Sequence, residues 1–272
     1  MKETTLLSIK DFSEFTGVKQ STLRYYDEIG LLPPVSRGEN NYRHYVPYQI
    51  ILLSFINVLI ELGVPLSMVK EMSKSRTPEK VIELLNRQEE KLDVRLYELQ
   101  QAYSVIHTFR KNIETGLTAK IGEVNVVELE ELNIVLGPET DFEENQSFYV
   151  PFVNFCNSAH EYRINLRYPI GGYHNDIDQY LKTPGEPNRF FSQDPIGNVK
   201  REAGNYLVVY NQGYYGEFPG IRELITSYAE EHNLGFHGPV YVLYLLDEIS
   251  TVEREKYVSR IAVRVEEKKK RY

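Results

Sequence analysis

Cysteine and tryptophan are almost absent from this sequence: its 272 residues include one cysteine, Cys156, and no tryptophan. A single cysteine excludes an intramolecular disulfide framework and any metal site built from several thiolates, and it suits a reducing cytoplasm. The chain also lacks a charged-then-apolar leader and any apolar run long enough to span a bilayer. We therefore expect a cytoplasmic protein that has no membrane partner and no cofactor.

Negative charge exceeds positive charge, but unevenly along the chain. The formal net charge is −8, whereas residues 1–76 carry nine Lys/Arg and eight Asp/Glu, a net of +1. The net negative charge of the chain argues against binding to nucleic acid. A near-neutral segment can nevertheless bind DNA when its cations share one face. The length predicts about two domains.

The first 30 residues predict two short helices joined by a tight turn. Ser8 is placed to cap the first helix, with Asp11 reaching back to it in a capping box, and Gly17 ends that helix. The second helix is predicted from about Gln20 to Ile29. This connection indicates a helix-turn-helix.

A basic and aromatic hairpin is predicted to follow. Gly and Asn in residues 36–41 tolerate positive φ angles, so this stretch predicts a turn that leads into a return strand at 42–45. Residues 47–62 predict an apolar helix, and Ser67 is expected to cap another helix that ends near Met72.

The second helix and the hairpin carry the candidate DNA contacts. Arg24 and Tyr25 lie on the helix face away from Leu23, from which they can reach phosphates or base edges. The N–H groups at the start of this helix also favour phosphate. The alternative is structural, with the tyrosines in the core and the arginines paired with Asp27 or Glu28. The candidate residues are Gln20, Ser21, Thr22, Arg24, Tyr25, Tyr42, Arg43 and Tyr45.

A long helix with an apolar stripe is predicted from Pro78 to about Glu114. No Gly or Pro interrupts it, so it is roughly 50 Å long at 1.5 Å per residue, and we expect Gly116 to end it. An apolar residue at every seventh position favours a partner helix, although the stripe could instead pack on the chain's own domain. The predicted dimerisation residues are Leu85, Leu92, Leu99, Ile106 and Ile113.

Residues 121–272 predict one α+β domain with weak internal repetition. The pattern changes between alternating strands and helical spacing several times, which is typical of this fold class. The predicted elements are, in chain order, strands 124–129 and 133–136, helix 148–159, strands 163–168 and 206–210, helix 219–232, and strands 240–245 and 257–265.

Residues 6 to about 72 resemble the winged helix-turn-helix of the MerR family of bacterial transcription regulators. The resemblance rests on Leu23-Arg24-Tyr25-Tyr26, Gly30-Leu31-Leu32 and Gly63-Val64-Pro65-Leu66. It implies a nucleoid-associated homodimer, joined by an antiparallel coiled coil, that binds a pseudo-palindromic promoter. Activators of the family distort the spacer DNA so that RNA polymerase meets both promoter elements. The implied parts are a DNA-binding domain at 1–76, a coiled-coil helix at 77–117 and an effector-binding domain at 118–272.

Two positions depart from the family's pattern. Asn41 stands at a wing position that is commonly Gly, a mild change because Asn accepts similar backbone angles. Ile60 stands where some relatives have a phosphate-contacting Lys, so we expect that contact to be absent.

Residues 121–272 resemble the GyrI-like ligand-binding domain of the family's multidrug-responsive regulators, a pseudo-duplicated α+β fold. By position, the resemblance implies that Tyr149, Tyr168, Phe218 and Tyr257 line a pocket for lipophilic cations, which aromatic faces attract. We add Tyr244 because it shares a strand face with position 242. The segments that carry the resemblance are Gly122-Glu123-Val124, Ser158-Ala159, Gly204-Asn205-Tyr206, Val240-Tyr241 and Tyr257.

Val242 stands where that subgroup places a buried glutamate that neutralises a cationic drug. Either another acid serves, with Glu255, Glu217 and Asp247 as candidates, or binding relies on aromatic faces.

We expect an effector-responsive activator and not an enzyme. Two alternatives remain open. One is a GyrI-like hydrolase of small hydrophobic compounds that carries a DNA-binding domain, although the scattered histidines form no HExxH or GxSxG pattern. The other is an effector-independent repressor or architectural DNA-binding protein.

Overall fold

The computed structural model describes residues 5–142 and 149–268, and the chain divides into two units, Met1–Leu99 and Gln100–Tyr272. The first unit combines helices with a three-stranded antiparallel sheet whose strand order is β1-β3-β2. Its elements are β1 (Leu7–Ser8), α1 (Ile9–Thr16), α2 (Gln20–Glu28), β2 (Ser36–Arg37), β3 (Arg43–Tyr45), α3 (Tyr48–Glu61), α4 (Leu66–Lys74) and the first part of α5 (Pro78–Thr118).

The predicted helix-turn-helix and hairpin are confirmed in position. The Ser8 hydroxyl accepts a hydrogen bond from the Asp11 N–H, and the Asp11 carboxylate accepts one from the Ser8 N–H, which completes the capping box. Gly17 ends α1 with a φ of 69°, a left-handed conformation that glycine adopts without strain. We call β2, β3 and the turn between them, residues 36–45, the wing.

Two predictions about helix ends are wrong. Pro65, not Ser67, is the N-cap of α4, so Ser67 lies inside the first turn. Gly116 does not end the long helix, because α5 continues to Thr118 over 41 residues. A Cβ atom on Gly116 would lie 2.8 Å from Leu246 Cγ, so glycine permits close packing here. The two-unit division falls within α5, and the predicted boundaries at 76 and 117 stay predictions.

The second unit is built around an antiparallel sheet of eight strands in the order β4-β9-β11-β10-β6-β7-β5-β8. Besides the end of α5, its elements are β4 (Val124–Leu129), β5 (Leu132–Glu139), α6 (Tyr149–Asn157), β6 (Ile170–His174), α7 (Ile177–Lys182), β7 (Arg189–Ser192), β8 (Val199–Arg201), β9 (Gly204–Gln212), α8 (Ile221–Glu231), β10 (Leu234–Leu246) and β11 (Val258–Glu267).

The strand order of this sheet contains a repeat. β5, α6, β6 and β7 form one strand-helix-strand-strand segment, with α7 inserted, and β9, α8, β10 and β11 form another. In the sheet, the first segment contributes the strands in the order β5-β7-β6, and the second contributes the equivalent order β9-β11-β10. The middle strands of the two segments in chain order, β6 and β10, pair at the centre of the sheet. Val242 is opposite Gly172 in this pairing, so their positions share one face of the sheet.

The predicted strand at 163–168 is wrong. Residues 161–163 form a turn in which Arg163 has a φ of 56°, and the strand begins only at Ile170. Ile164 and Tyr168 are both buried, but Leu166, which would share their face in a strand, is 44% exposed, so the segment lacks the burial pattern of a strand. The other predicted strands and helices of this unit correspond to β4, β5, α6, β9, α8, β10 and β11, and position 148 lies outside the described residues.

None of the helices in the described part of the chain combines the length and the apolar character needed to cross a membrane.

Candidate functional site

One face of α2 is exposed and carries most of the predicted DNA contacts. Leu23 and Tyr26 are buried in the core of the first unit, whereas Arg24 is exposed and Tyr25 is 48% exposed. The first turn consists of Gln20, Ser21 and Thr22. Among the described residues, no side chain caps this helix start, so its N–H groups remain available to an anion.

A buried carboxylate joins α2 to the wing. The Asp27 side chain is only 5% exposed and accepts hydrogen bonds from Arg43 Nε at 2.5 Å and from Arg37 Nη2 at 2.7 Å. Arg37 Nη1 also donates to Asn41 Oδ1 at 3.1 Å. The sequence left open whether the arginines contact DNA or pair with an acid. Arg43 pairs with Asp27, and Arg37, which was not among the candidates, does so as well.

The wing tyrosines lie in two different environments. Tyr42 is 56% exposed at the surface. Tyr45 is fully buried and stacks on Phe12 with ring centroids 4.5 Å apart, and its burial raises the pKa of the phenol. Its side chain therefore belongs to the core and is not at a surface that DNA could reach.

The apolar stripe of α5 is largely exposed in the single chain. Leu85 and Leu92 are 37% and 41% exposed, and Leu99 and Ile106 are 68% and 67% exposed. Ile113, the last of the series, is half-buried. Exposed large apolar side chains in a continuous row are typical of an interaction surface.

A cavity of about 250 Å³ lies on the face of the central strand pair that carries Val242. Eight of the described residues that line it are Phe or Tyr, and one of these is Phe109 of α5. Of the predicted effector residues, the lining includes Tyr149, Tyr168, Phe218, Val242 and Tyr244.

Three other predicted residues are outside this lining, as far as the described residues define it. Tyr257 is 4% exposed and packs behind the cavity, with its ring centroid 5.6 Å from that of Tyr215. Glu255 is exposed in the 3₁₀ turn Arg254–Lys256. Glu217 is exposed, and its Oε2 accepts a hydrogen bond from the Tyr214 N–H at 3.0 Å.

Two carboxylates occupy the end of the cavity, directly after β10. Asp247 is half-buried, and its burial raises the pKa of the carboxyl. Glu248 Oε2 accepts a hydrogen bond from the Tyr215 hydroxyl at 2.5 Å. Asp247 was one of the three acids that the sequence suggested. Glu248 and Tyr215 were not predicted, because nothing in the sequence distinguishes them from other acids and tyrosines.

Comparison with known proteins decides the family. The model described as MerR family regulatory protein matches residues 8–45. The HTH-type transcriptional regulator YyaN of Bacillus subtilis (strain 168), itself uncharacterized, is 32% identical over 127 residues, which are 40% of this chain and 90% of that protein. The chain belongs to the MerR family. It is therefore a DNA-binding transcription regulator.

Another relative is similar over nearly the whole chain. The "Multidrug-efflux transporter 2 regulator" of Bacillus subtilis (strain 168) is 27% identical over 263 residues, 94% of this chain and 95% of that protein. Among solved structures, the EcmrR–DNA complex is similar over 96% of this chain and 100% of that chain, with 16% identity and a TM-score of 0.39.

Both departures from the MerR pattern have a structural explanation. Asn40 and Asn41 have φ angles of 58° and 63°, so the turn of the wing requires the left-handed conformation that Asn tolerates better than other non-glycine residues. Ile60 is partly buried against the core of the first unit, which gives an apolar residue a packing role at this position.

Proposed function

We propose that this MerR-family regulator is a homodimeric activator that binds a pseudo-palindromic promoter, distorts the spacer DNA for RNA polymerase, and responds to lipophilic aromatic cations. The observation that carries the effector part is the aromatic cavity that has Asp247 and Glu248 at one end. The near-full-length similarity to a multidrug-efflux regulator supports the same class of effector. We also propose that residues 118–272 are a GyrI-like effector-binding domain.

The DNA surface consists of the exposed face of α2 and the tip of the wing. Arg24 and Tyr25 project from α2, and Tyr42 from the wing, at exposed positions. A helix for the major groove together with a hairpin on the backbone is the docking geometry of winged helix-turn-helix proteins. Arg43 contributes indirectly, because its ion pair with Asp27 holds the wing against α2.

Dimerisation through α5 follows from its exposed stripe. Leu85, Leu92, Leu99 and Ile106 repeat every seventh residue and all remain at least 37% exposed. Burial against the same stripe of a second chain, in the antiparallel orientation, removes this surface from water.

The cavity offers a lipophilic cation both apolar surface and compensating charge. Aromatic walls bind flat rings and attract positive charge, more strongly when water is excluded. Asp247 and Glu248 supply the negative charge that Val242 does not. Asp247 is half-buried and Glu248 is exposed, so neither bears the full desolvation penalty of an isolated buried carboxylate.

The same cavity is connected to the helix that carries the dimerisation stripe. Phe109 of α5 lines it, and Asn112 Nδ2 donates a hydrogen bond to Gln193 Oε1 at 3.2 Å. An effector therefore contacts α5 itself, and a change in the position of α5 is the step by which we propose that binding reaches the promoter.

Replacing Arg24 with alanine should weaken promoter binding roughly tenfold and reduce the salt slope of log K by about one, because one phosphate or base-edge contact is lost. Fluorescence anisotropy with labelled promoter DNA at several salt concentrations measures both quantities. Lys10→Ala is the matched control, since Lys10 is an exposed cation of α1 that lies 4.0 Å from Glu14. If Lys10→Ala weakens promoter binding and reduces the salt slope as much as Arg24→Ala does, the proposal that α2 docks on the DNA is wrong.

Asp247→Asn should weaken the binding of 1-naphthylmethylammonium roughly tenfold, because it removes a negative charge while it preserves the side-chain shape. Glu248→Gln should act in the same direction. Titration calorimetry without DNA measures the affinity, and Glu255→Gln serves as the control because Glu255 is exposed outside the lining. If Glu255→Gln weakens binding of the probe and the other two substitutions do not, Asp247 and Glu248 are not the acids that pair with the cation.

Transcription in vitro from the protein's own promoter tests the whole proposal. We expect 1-naphthylmethylammonium to raise transcription by the wild-type protein, and the Asp247→Asn, Glu248→Gln double variant to bind the promoter but not to respond. Promoter binding without a response to any lipophilic aromatic cation would leave an effector-independent regulator and would reject the sensing function.

A further inference from the structure

His174, at the end of β6, is a fully buried polar residue in the wall of the cavity. Its Nε2 atom has no hydrogen-bond partner among the described residues, and its Nδ1 atom lies 2.9 Å from Gln179 Oε1. The ring packs edge-on against Tyr180, with centroids 4.9 Å apart and an interplanar angle of 82°. The imidazole is therefore fixed in orientation, while half of its hydrogen-bonding capacity is unused.

The tautomer of His174 follows from the partners of Gln179. Gln179 Nε2 donates to the Glu186 carbonyl at 3.1 Å, and a carbonyl can only accept, so Gln179 Oε1 is the atom that faces His174. The His174 Nδ1 atom must then carry the proton. In the neutral ring this leaves a bare lone pair on Nε2, and burial lowers the pKa of His174 to about 4, which keeps the ring neutral near pH 7.

The Nε2 atom lies on the cavity side of the ring. Gly172 and Val242 are paired across β6 and β10, and both line the cavity. A Cβ atom built on Gly172 would lie 3.9 Å from His174 Nε2. Within the described part of the chain, the cavity therefore contains, besides its aromatic surface and its two carboxylates, a strong neutral acceptor, His174 Nε2, that has no hydrogen-bond donor.

We propose that His174 Nε2 accepts a hydrogen bond from the effector and that the effector is an aromatic compound with a protonated primary or secondary amine, not a permanently alkylated cation. This inference rests on the proposed effector function of the cavity. A buried acceptor without a donor is costly, and an N–H⁺ group satisfies it with a charge-assisted bond. A protonated amine also fits the proposed class of effector, a lipophilic aromatic cation, which a neutral O–H donor does not.

A matched pair of probes separates the hydrogen bond from charge and shape. 1-Naphthylmethylammonium has three N–H donors, and its N,N,N-trimethyl derivative has none, although both carry the same charge and the same rings. We expect the wild-type protein to prefer the first probe and His174→Phe to reduce this preference about tenfold. The steric effect of the methyl groups cancels, because the comparison is between the preferences of two proteins.

Each outcome of this double comparison has one meaning. If His174→Phe unfolds at the same temperature as the wild type and its preference for the ammonium probe over the trimethyl probe stays within about twofold of the wild-type value, the proposed role of His174 is wrong. In that case the proposed effector function still stands, provided that both probes bind. If neither probe binds the wild-type protein, the effector function itself fails and the inference fails with it.

A second measurement needs no variant. In protein labelled with ¹⁵N-histidine, the ring that stays neutral near pH 5 is identified as His174, and its Nε2 resonance should shift upfield when the ammonium probe is added but not when the trimethyl probe is added. An unchanged Nε2 resonance in the presence of a saturating ammonium probe would mean that water or nothing occupies this acceptor, and it would overturn the proposal.

Discussion

Asp27→Ala should weaken promoter binding roughly 30-fold, although the substitution removes a negative charge from beneath the proposed DNA-binding surface. The expected sign is opposite to that of simple electrostatics, because Asp27 holds the wing through Arg37 and Arg43. Without the carboxylate, two guanidinium groups lose their common partner and the wing is no longer fixed against α2. We also expect the first unit to lose about 2 kcal/mol of unfolding free energy, less than for a fully buried pair because both arginines are partly exposed.

The control for this prediction is Glu28→Ala, which removes the same charge at the next residue. Glu28 is exposed, so this substitution should leave promoter binding unchanged or strengthen it slightly. Arg43→Ala combined with Asp27→Ala should be no worse than Asp27→Ala alone, because both changes break one network. Anisotropy titrations measure all four proteins. Tighter binding by Asp27→Ala would show that the network does not position the wing.

Gly171→Ala should destabilise the second unit by about 3 kcal/mol, at the upper end of the usual cost of overpacking. A Cβ atom at this position would overlap the Phe191 ring and lie 2.6 Å from the Val242 carbonyl oxygen. The backbone atom cannot move without disturbing the pairing of β6 with β10, which joins the two repeated segments of the sheet. Denaturant unfolding followed by circular dichroism, with hydrogen exchange of the amides in β6 and β10, measures the loss.

Gly172→Ala is the matched control, one residue further along the same strand. Its Cβ atom would lie on the cavity face, 3.0 Å from Pro187 Cβ, with no backbone atom of another strand within 4 Å among the three nearest contacts. We expect a loss of less than about 1 kcal/mol in stability but weaker effector binding, since the methyl group takes cavity volume beside His174. Equal destabilisation by the two substitutions would mean that crowding at the central strand pair is not the cause.

Much of the first unit could be predicted because its signals are local in the chain. The Ser8–Asp11 capping box and the Asn residues of the wing act over three residues or fewer, so their pattern contains the physical cause. The role of Arg43 could not be predicted in this way. Its partner Asp27 lies 16 residues away, and whether the two meet depends on how the wing folds back on α2.

The cavity was predicted only in part, for a related reason. Once position 242 is assigned to the pocket by resemblance, strand alternation predicts that Tyr244 lines the pocket as well. Tyr257 was expected in the lining but packs behind Tyr215, because which side chains of an aromatic cluster form its inner wall depends on three-dimensional packing. Glu248 gave no signal in the sequence that distinguishes it from other acids.

By itself, the sequence determined the family, the order of the helices in the first unit, and the apolar stripe of α5, because caps, turn residues and heptads are short-range patterns. Only the tertiary structure decided which cations face solvent, which acids reach the cavity, and that His174 keeps an unused acceptor there. These properties depend on burial and on contacts between strands distant in the chain, such as β6 and β10, and no local pattern encodes them.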